Sequence, residues 1–218
     1  MSVFHKDGIV EFARSLIELG FEIISSGGTA THLAASGVKV TDVAEISGLK
    51  PILRHRVATL VPQIHGGLLA TLDMLDELQE LGYPWIDLVC VDLYPLKQEI
   101  AREGSTLESV IEKTDIGGPT LLRSGAKGRR IVVGSPQDRA RVLAWLQAGR
   151  PSEKEFVGRL AAKAEGIVAD YALASARYLS LGNIDGMVGT QVVEAKGENG
   201  PQSPAGLFRI DHDDPLAL

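Results

Sequence analysis

Ile86-Asp-Leu-Val-Cys-Val-Asp92 carries four consecutive apolar residues, Leu88 to Val91, between two aspartates. The run is too short for a helix, rich in β-branched residues and without polar alternation, so it reads as a strand covered on both faces. Ile131-Val-Val133 has the same character, and Glu22-Ile-Ile-Ser25 is a shorter version of it. Helical spacing fills the intervals. Ile9, Phe12, Ala13, Leu16 and Ile17 share one face of a helix closed by Gly20. A turn at Gly27-Gly28 leads into a helix from Thr29 to Ser36, and another runs from Pro136 to about Ala148. From Ser152 to Ser180, Phe156, Leu160, Ala164, Ile167, Tyr171 and Tyr178 mark a long helix or a helical pair. Strands alternating with helices predict an α/β domain with a mainly parallel sheet.

Two stretches break this rhythm. Ala44 to Ala70 is predicted to be a long irregular segment, the kind that serves as a binding loop. Gly182 to Pro204 is predicted to be an irregular connector, and Asp211 to Pro215 is acidic and turn-prone. A domain over 1–180 and an extension over 181–218 follow.

The 218 residues are 44% hydrophobic and 23% charged, enough to build a core and incompatible with disorder. Lys and Arg number 22 against 28 Asp and Glu, a net charge of −6. That balance argues against nucleic acid or an anionic membrane as a partner, and leaves room for a local cationic pocket. The one cysteine allows no intrachain disulfide, and the histidines at 5, 32, 55, 65 and 212 lack metal-ligand spacing. With no apolar run of about 18 residues and no leader pattern, the expectation is a soluble, cytoplasmic protein.

Ser25-Ser-Gly-Gly-Thr29 lies where a strand feeds a helix. Its glycines admit a ligand close to the backbone, and the helix N-terminus offers free N–H groups, which suits a phosphate. The same residues also suit a plain strand–turn–helix junction. Lys6 adds a cation if the first strand lies alongside. In Asp115-Ile-Gly-Gly-Pro-Thr-Leu-Leu-Arg-Ser-Gly-Ala-Lys127, Pro119 is expected at the first helical position, after an amide-lined turn at Gly117 and Gly118. A short helix bringing Asp115 and Lys127 to one cleft would make an acid–base or electrostatic pair. The alternative is an N-capping aspartate and a lysine balancing the helix dipole. Asp92-Leu-Tyr-Pro95 leaves a buried strand where open α/β sheets place ligands, and Tyr94 either donates to a substrate or holds a loop. His65 sits in the irregular segment, and Cys90 reads as core.

Together these segments resemble the inosine monophosphate cyclohydrolase domain of the bifunctional purine biosynthesis enzyme, a methylglyoxal-synthase-like fold. The resemblance runs from Ser2 to about Ser180, through SVFHKDGIVEFA, SSGGTA, HRVATLVPQIHGGLLA, IDLVCVDLYPL, TDIGGPTLLRSGAK and LAAKA in family order. It implies a three-layer α/β/α sandwich, a homodimer, and closure of 5-formamidoimidazole-4-carboxamide ribonucleotide to inosine monophosphate and water without cofactor or metal. A separate formyltransferase is a partner it allows. By resemblance, Lys6, Ser25, Ser26, Gly27, Gly28 and Thr29 hold the 5′-phosphate, with Arg56 and Thr59 among the substrate contacts. Tyr94, Asp115, Gly117 and Gly118 surround the reacting groups with Asp92 beside the base, and Lys127 partners the formyl oxygen. Methylglyoxal synthase shares the fold, but the DLYP and DIGGP motifs belong to the cyclohydrolase side.

The departures are specific. Ala58 stands where the family usually has an active-site lysine, Val61 replaces a histidine, Phe4 a serine, Asp92 an asparagine and Gly128 an asparagine. An arginine at 54 or 56 is the nearby replacement for the lost cation, or else turnover is weak or lost. Gly197 to Gln202 and Pro204 to Phe208 resemble the opening of the family's transformylase domain, so no formyl-transfer site is expected within these residues.

Overall fold

The computed structural model describes residues 1–53 and 56–180, and the backbone of two further strands, Thr190–Ala195 and Ala205–Arg209. Five short strands precede that pair: β1 (Ser2–Val3), β2 (Ile24–Ser25), β3 (Thr41–Asp42), β4 (Leu88–Asp92) and β5 (Ile131–Val133). All pairings among them are parallel, in the sets β1-β4-β5 and β2-β3. The Met1 ammonium donates to the Ile24 carbonyl at 2.6 Å and Ser25 Oγ donates to the Met1 carbonyl at 2.7 Å, which sets β2 beside β1. The spatial order is therefore β3-β2-β1-β4-β5, and the chain changes direction across the sheet between β1 and β4. Ligands of open α/β sheets bind outside the carboxyl ends of strands at such a point.

Successive strand residues point to opposite faces, and both faces are covered. Cys90, Ile131 and Val133 enter one apolar cluster, while Val89, Val91 and Val132 enter the other. The first cluster takes α1 (Ile9–Glu18), whose Ile9, Phe12, Ala13 and Leu16 are all buried, and Leu33 of α2 (Gly27–Ala35). The second takes Val43 of α3 (Val43–Ser47) and Ile64 and Leu68 of α4 (Pro62–Leu69). Burying one such apolar side chain is worth about 1.5–3 kcal/mol. That exceeds propensity differences of about 0.7 kcal/mol per residue, so packing decides where these short helices form.

After a 3₁₀ turn at Leu72–Met74 come α5 (Leu75–Glu80), α6 (Leu96–Ala101), α7 (Leu107–Glu112) and α8 (Gly117–Lys127), whose Leu121 and Leu122 complete the second face. Then α9 (Asp138–Gln147) and α10 (Glu153–Leu179) cover the first face through Val142, Trp145, Phe156 and Leu160. The helices on the two faces and the sheet between them are the three layers expected.

Several expectations are corrected. The segment 44–70 is not irregular throughout, since it holds most of α3 and all of α4. Pro62 opens α4, and the buried Arg130 closes it by donating to the carbonyls of Leu68 (3.0 Å), Gly67 (3.2 Å) and Ala70 (2.6 Å) while stacking on Trp85. Residues 153–179 form one helix rather than a pair. Its apolar positions Phe156, Val157, Leu160 and Ala164 are buried in the core of the same chain. Pro119 is the third helical residue, because Gly117 and Gly118 already belong to α8.

The chain divides into Met1–Tyr171 and Ala172–Leu218. In the second unit, β6 (Thr190–Ala195) pairs antiparallel with β7 (Ala205–Arg209). The expected irregular connector thus contains a strand, as the β-branched Thr190, Val192 and Val193 favour. Residues 181–189, 196–204 and 210–218, with Asp211 to Pro215, lie outside the described residues, as do Arg54 and His55. Among the described residues no helix is long and apolar enough to cross a membrane.

Candidate functional site

The loop after β1 and the start of α2 form one wall. Gly27 has φ +54, a left-handed value that lets the chain turn from β2 into the helix at once. No side chain caps α2. The first-turn amides of Gly27, Gly28 and Thr29 therefore face outward without helical partners. Lys6 folds back over this turn: its Nζ donates to the Val3 carbonyl, to the Phe4 carbonyl at 3.2 Å and to Thr29 Oγ1 at 3.1 Å. Burial pushes the Lys6 pKa down, and the Asp92 carboxylate opposes that shift. Two of the predicted phosphate ligands are engaged elsewhere. Ser25 Oγ is spent on the Met1 carbonyl, and Thr29 Oγ1 exchanges bonds with the Val3 N–H and carbonyl. What remains to meet an anion is the amide row, Ser26 and the ammonium of Lys6.

The opposite wall follows β4. The Asp92 carbonyl accepts from the Phe4 N–H at 3.1 Å, and its carboxylate accepts from the His5 N–H at 2.9 Å. His5 Nδ1 lies 3.0 Å from Asp92 Oδ2, so an aspartate in the predicted base position comes with its own counter-group. Phe4 lies edge-on between the His5 ring (5.0 Å) and the Tyr94 ring (5.5 Å). Lys113 Nζ stands 5.6 Å from the centre of the Phe4 ring. A groove of about 400 Å³ opens beside Asp92 and Tyr94 toward Ser135, Lys163 and Tyr171.

The floor is the N-terminus of α8. Asp115 Oδ1 accepts from the Gly118 N–H at 2.9 Å. The Asp115 N–H donates to the Tyr171 phenol at 2.8 Å, and that phenol donates to the Lys113 carbonyl. Asp115 is not the N-cap expected, since Ile116 holds that position, but its bond to a first-turn amide holds the carboxylate in place. A side chain on Gly118 would fall onto that carboxylate and within 2.6 Å of Leu93 Cδ2. Burial raises the Asp115 pKa; backbone N–H groups of Gly118, Tyr94 and Gly117 counter it, and the charge of Asp92 adds to it. Burial also raises the Tyr94 pKa, reinforced by Asp115 and Glu112, which keeps the phenol a neutral donor. The Tyr171 phenol is pushed up to about 12 by its burial. Thr59 Oγ1 sits 3.1 Å from where a Cβ on Gly117 would be, which brings Thr59 to the same helix end.

Lys127 is not brought to this floor. The eleven residues of α8 put it at the far, exposed end of the helix, about 15 Å from Gly117 at 1.5 Å per residue. The helix that was expected to join Asp115 and Lys127 holds them apart within one chain. Arg56 is at an exposed ion pair with Glu112, and Arg54 lies outside the described residues. His65 Nδ1 lies 2.9 Å from Ser124 Oγ, on the contact between α4 and α8, and its Nε2 is buried without a partner among the described residues. Burial pushes the His65 pKa down, with the Thr59 backbone opposing. Sequence reasoning missed His5 and Lys113. His5 lies within the SVFHKDGIVEFA stretch and Lys113 just before TDIGGP, but only the adjacency of β1 and β4 and the turn from α7 into α8 show that they reach the site.

Comparison with known proteins places these observations. The MGS-like domain matches residues 8–120. The bifunctional purine biosynthesis protein PurH from two strains of Desulfitobacterium hafniense is 44% identical over 184 residues, covering 83% of this chain and 36% of the relative. The chain thus spans about a third of the length of these relatives. The crystal structure of ForH superposes with a TM-score of 0.73 at 32% identity, covering 84% of this chain and 96% of that one.

Proposed function

The chain belongs to the MGS-like domain family, and on that premise we propose that it acts in purine biosynthesis as an inosine monophosphate cyclohydrolase. One observation carries the reading: an uncapped helix start with Lys6 and a partly buried Asp115 beside Tyr94 border the same strand ends. The similarity to PurH, a bifunctional purine biosynthesis protein, supports a purine precursor as the substrate.

The 5′-phosphate of the formamido ribonucleotide rests on the amides of Gly27 and Gly28 and on Lys6, with Ser26 completing the contact. The imidazole ring lies against Phe4 and Tyr94, near Asp92 and Thr59. The carboxamide nitrogen attacks the formyl carbon of the same molecule, so holding both groups in a reactive rotamer is the main contribution. As the C–N bond forms, Asp115 takes a proton from the attacking nitrogen and Tyr94 donates to the formyl oxygen. That hydroxyl then leaves with the proton of the formamido nitrogen as water, which forms the C=N bond of the closed ring, and the proton held by Asp115 returns to Tyr94. The partly desolvated setting of Asp115 raises its basicity above that of a free aspartate, which suits a proton acceptor. Lys127 has no part in this scheme within one subunit. A homodimer is the expected assembly, to be checked by light scattering at micromolar concentration.

The direct test mixes the purified chain with the formamido ribonucleotide and follows inosine monophosphate. A folded protein with no rate above background would sink the claim. The phosphate contact has its own test. Charge-assisted bonds should contribute about 2 kcal/mol, so calorimetry should find inosine monophosphate bound about 30-fold more tightly than inosine. Equal affinities reject the cradle at α2. A second reading, a purine-nucleotide-binding scaffold, rests on Ala58 together with the pairing of Arg56 to Glu112. Tight product binding without turnover is its signature.

A further inference from the structure

A buried arginine has no part in the site described so far. Arg139 lies in the first turn of α9 and is 6% exposed. Three features count against a guanidinium there. The start of a helix is its positive end, which disfavours a cation. Among the described residues no carboxylate pairs with it, and its neighbour Asp138 takes Lys163 instead. Its Nε is buried without a partner among the described residues. A charge kept in such a place, where an apolar side chain of the same size would cost less, calls for a role outside stability.

Its hydrogen bond goes to the turn that carries Lys6. Nη1 donates to the Asp7 carbonyl at 2.6 Å, across 132 positions of sequence. That turn runs from Lys6 to Ile9. The Ile9 N–H donates to the Lys6 carbonyl at 3.2 Å, and Gly8 in the third place has φ +67. A positive φ at that place marks the type II form, whose central peptide is flipped relative to type I. Here the central peptide joins Asp7 to Gly8, and its carbonyl is the group that Arg139 holds. In the other flip that carbonyl would turn away from Nη1. A Cβ on Gly8 would sit 4.0 Å from Nη1, so the guanidinium packs directly against the turn. Asp7 and Gly8 are exposed, and glycine tolerates either flip, so Arg139 braces from beneath a turn that local sequence leaves undecided.

We propose that Arg139 is a positioning residue for Lys6. By fixing the Asp7–Gly8 peptide it sets the path of the chain from β1 into α1. That path holds the Lys6 ammonium over the start of α2, where Nζ meets Thr29 Oγ1 at 3.1 Å. Arg139 lies under the turn and acts only through Lys6. The inference rests on the reading of Lys6 and the α2 amides as the monophosphate cradle. A phosphate contact remote from the reacting atoms holds ground state and transition state alike. Its loss therefore shows in affinity and KM rather than in kcat.

Arg139→Met in the intact 218-residue chain fills the same space and removes the donor. Inosine monophosphate should then bind about tenfold more weakly by calorimetry, with inosine affinity unchanged, because a charge-assisted contact is misplaced. The KM for the formamido ribonucleotide should rise by a similar factor while kcat stays within about twofold. The melting temperature should hold or rise, since a buried charge without an ionic partner is gone. Arg139→Lys should recover most of the affinity, because an amine at that place still donates to the Asp7 carbonyl. Unchanged monophosphate affinity in Arg139→Met overturns the inference. So does a lysine variant as weak as the methionine one, or a joint fall in kcat, inosine affinity and melting temperature, the mark of general damage. A parent that binds the two ligands equally rejects the cradle and this inference with it. A parent with the preference and a methionine variant that keeps it rejects the role of Arg139 alone.

Discussion

At the carboxyl ends of β1, β2 and β4 polar groups crowd together and hold one another: Lys6 with Thr29, His5 with Asp92, Asp115 with the Gly118 amide. At the amino ends of the same strands leucines and isoleucines surround a cavity of about 580 Å³. The first end spends stability on order. Lys6 and Asp115 are both partly desolvated, with pKa values moved against their charged forms. The second end leaves packing energy unspent, since apolar side chains that face a void forfeit their contacts. Where backbone packing is left intact, function at one end should therefore be lost without much loss of stability, while stability at the other should be gained without any change in function.

The hardest test of that contrast is Gly118→Ala. Its methyl group would strike the Asp115 carboxylate and Leu93, so it should lower stability by about 1–3 kcal/mol. Turnover should fall at least about 100-fold with it, read from urea melts and initial rates on one preparation. A variant that keeps full activity would separate Asp115 from the chemistry.

Asp115→Asn comes next and isolates the charge. General base catalysis is worth about 100-fold or more, so the rate should drop by that much. Stability should not follow. The folded-state pKa of Asp115 lies above its unfolded value, so the folded protein binds the extra proton and loses stability as pH rises from about 3.8 through the folded pKa. Asparagine keeps the bond to the Gly118 amide and removes that decline. Urea melts across about pH 4 to 8 should show a flatter profile than the parent, and a variant less stable than the parent at neutral pH would break the contrast.

Ala58→Lys should raise turnover about tenfold, because residue 58 adjoins Thr59 at the floor of the cleft and a cation there would stabilise developing charge. An unchanged rate would mean that Lys113, beside the Phe4 ring, already supplies the field. The smallest effect is expected from Gly28→Ala. Nothing lies within 4 Å of the added methyl, so stability should change by less than about 0.5 kcal/mol. Monophosphate affinity should weaken a few-fold, since the methyl enters the open space where the proposed phosphate contact lies. Equal affinity in calorimetry would move the phosphate away from α2.

The strands at 88–92 and 131–133, the buried face of α1 and the glycine turn before α2 were legible in the residues alone. Each is a local pattern in which side-chain period reports which positions face the core. The motifs around Asp92, Tyr94 and Asp115 could be read as a candidate site for the same reason: turn and cap chemistry is local. Local patterns do not say which distant atoms meet. That Arg130 closes α4 from more than sixty residues away, that His5 answers Asp92 across eighty-seven, and that Tyr171 holds Asp115 all depend on strand order and on which face each helix covers. The rigid rise of α8 alone separates Lys127 from Asp115. The cavity lined by Leu16, Ile64, Leu68 and Leu121 is visible only in three dimensions, since an apolar residue's sequence neighbours do not reveal which distant side chains share the space it faces.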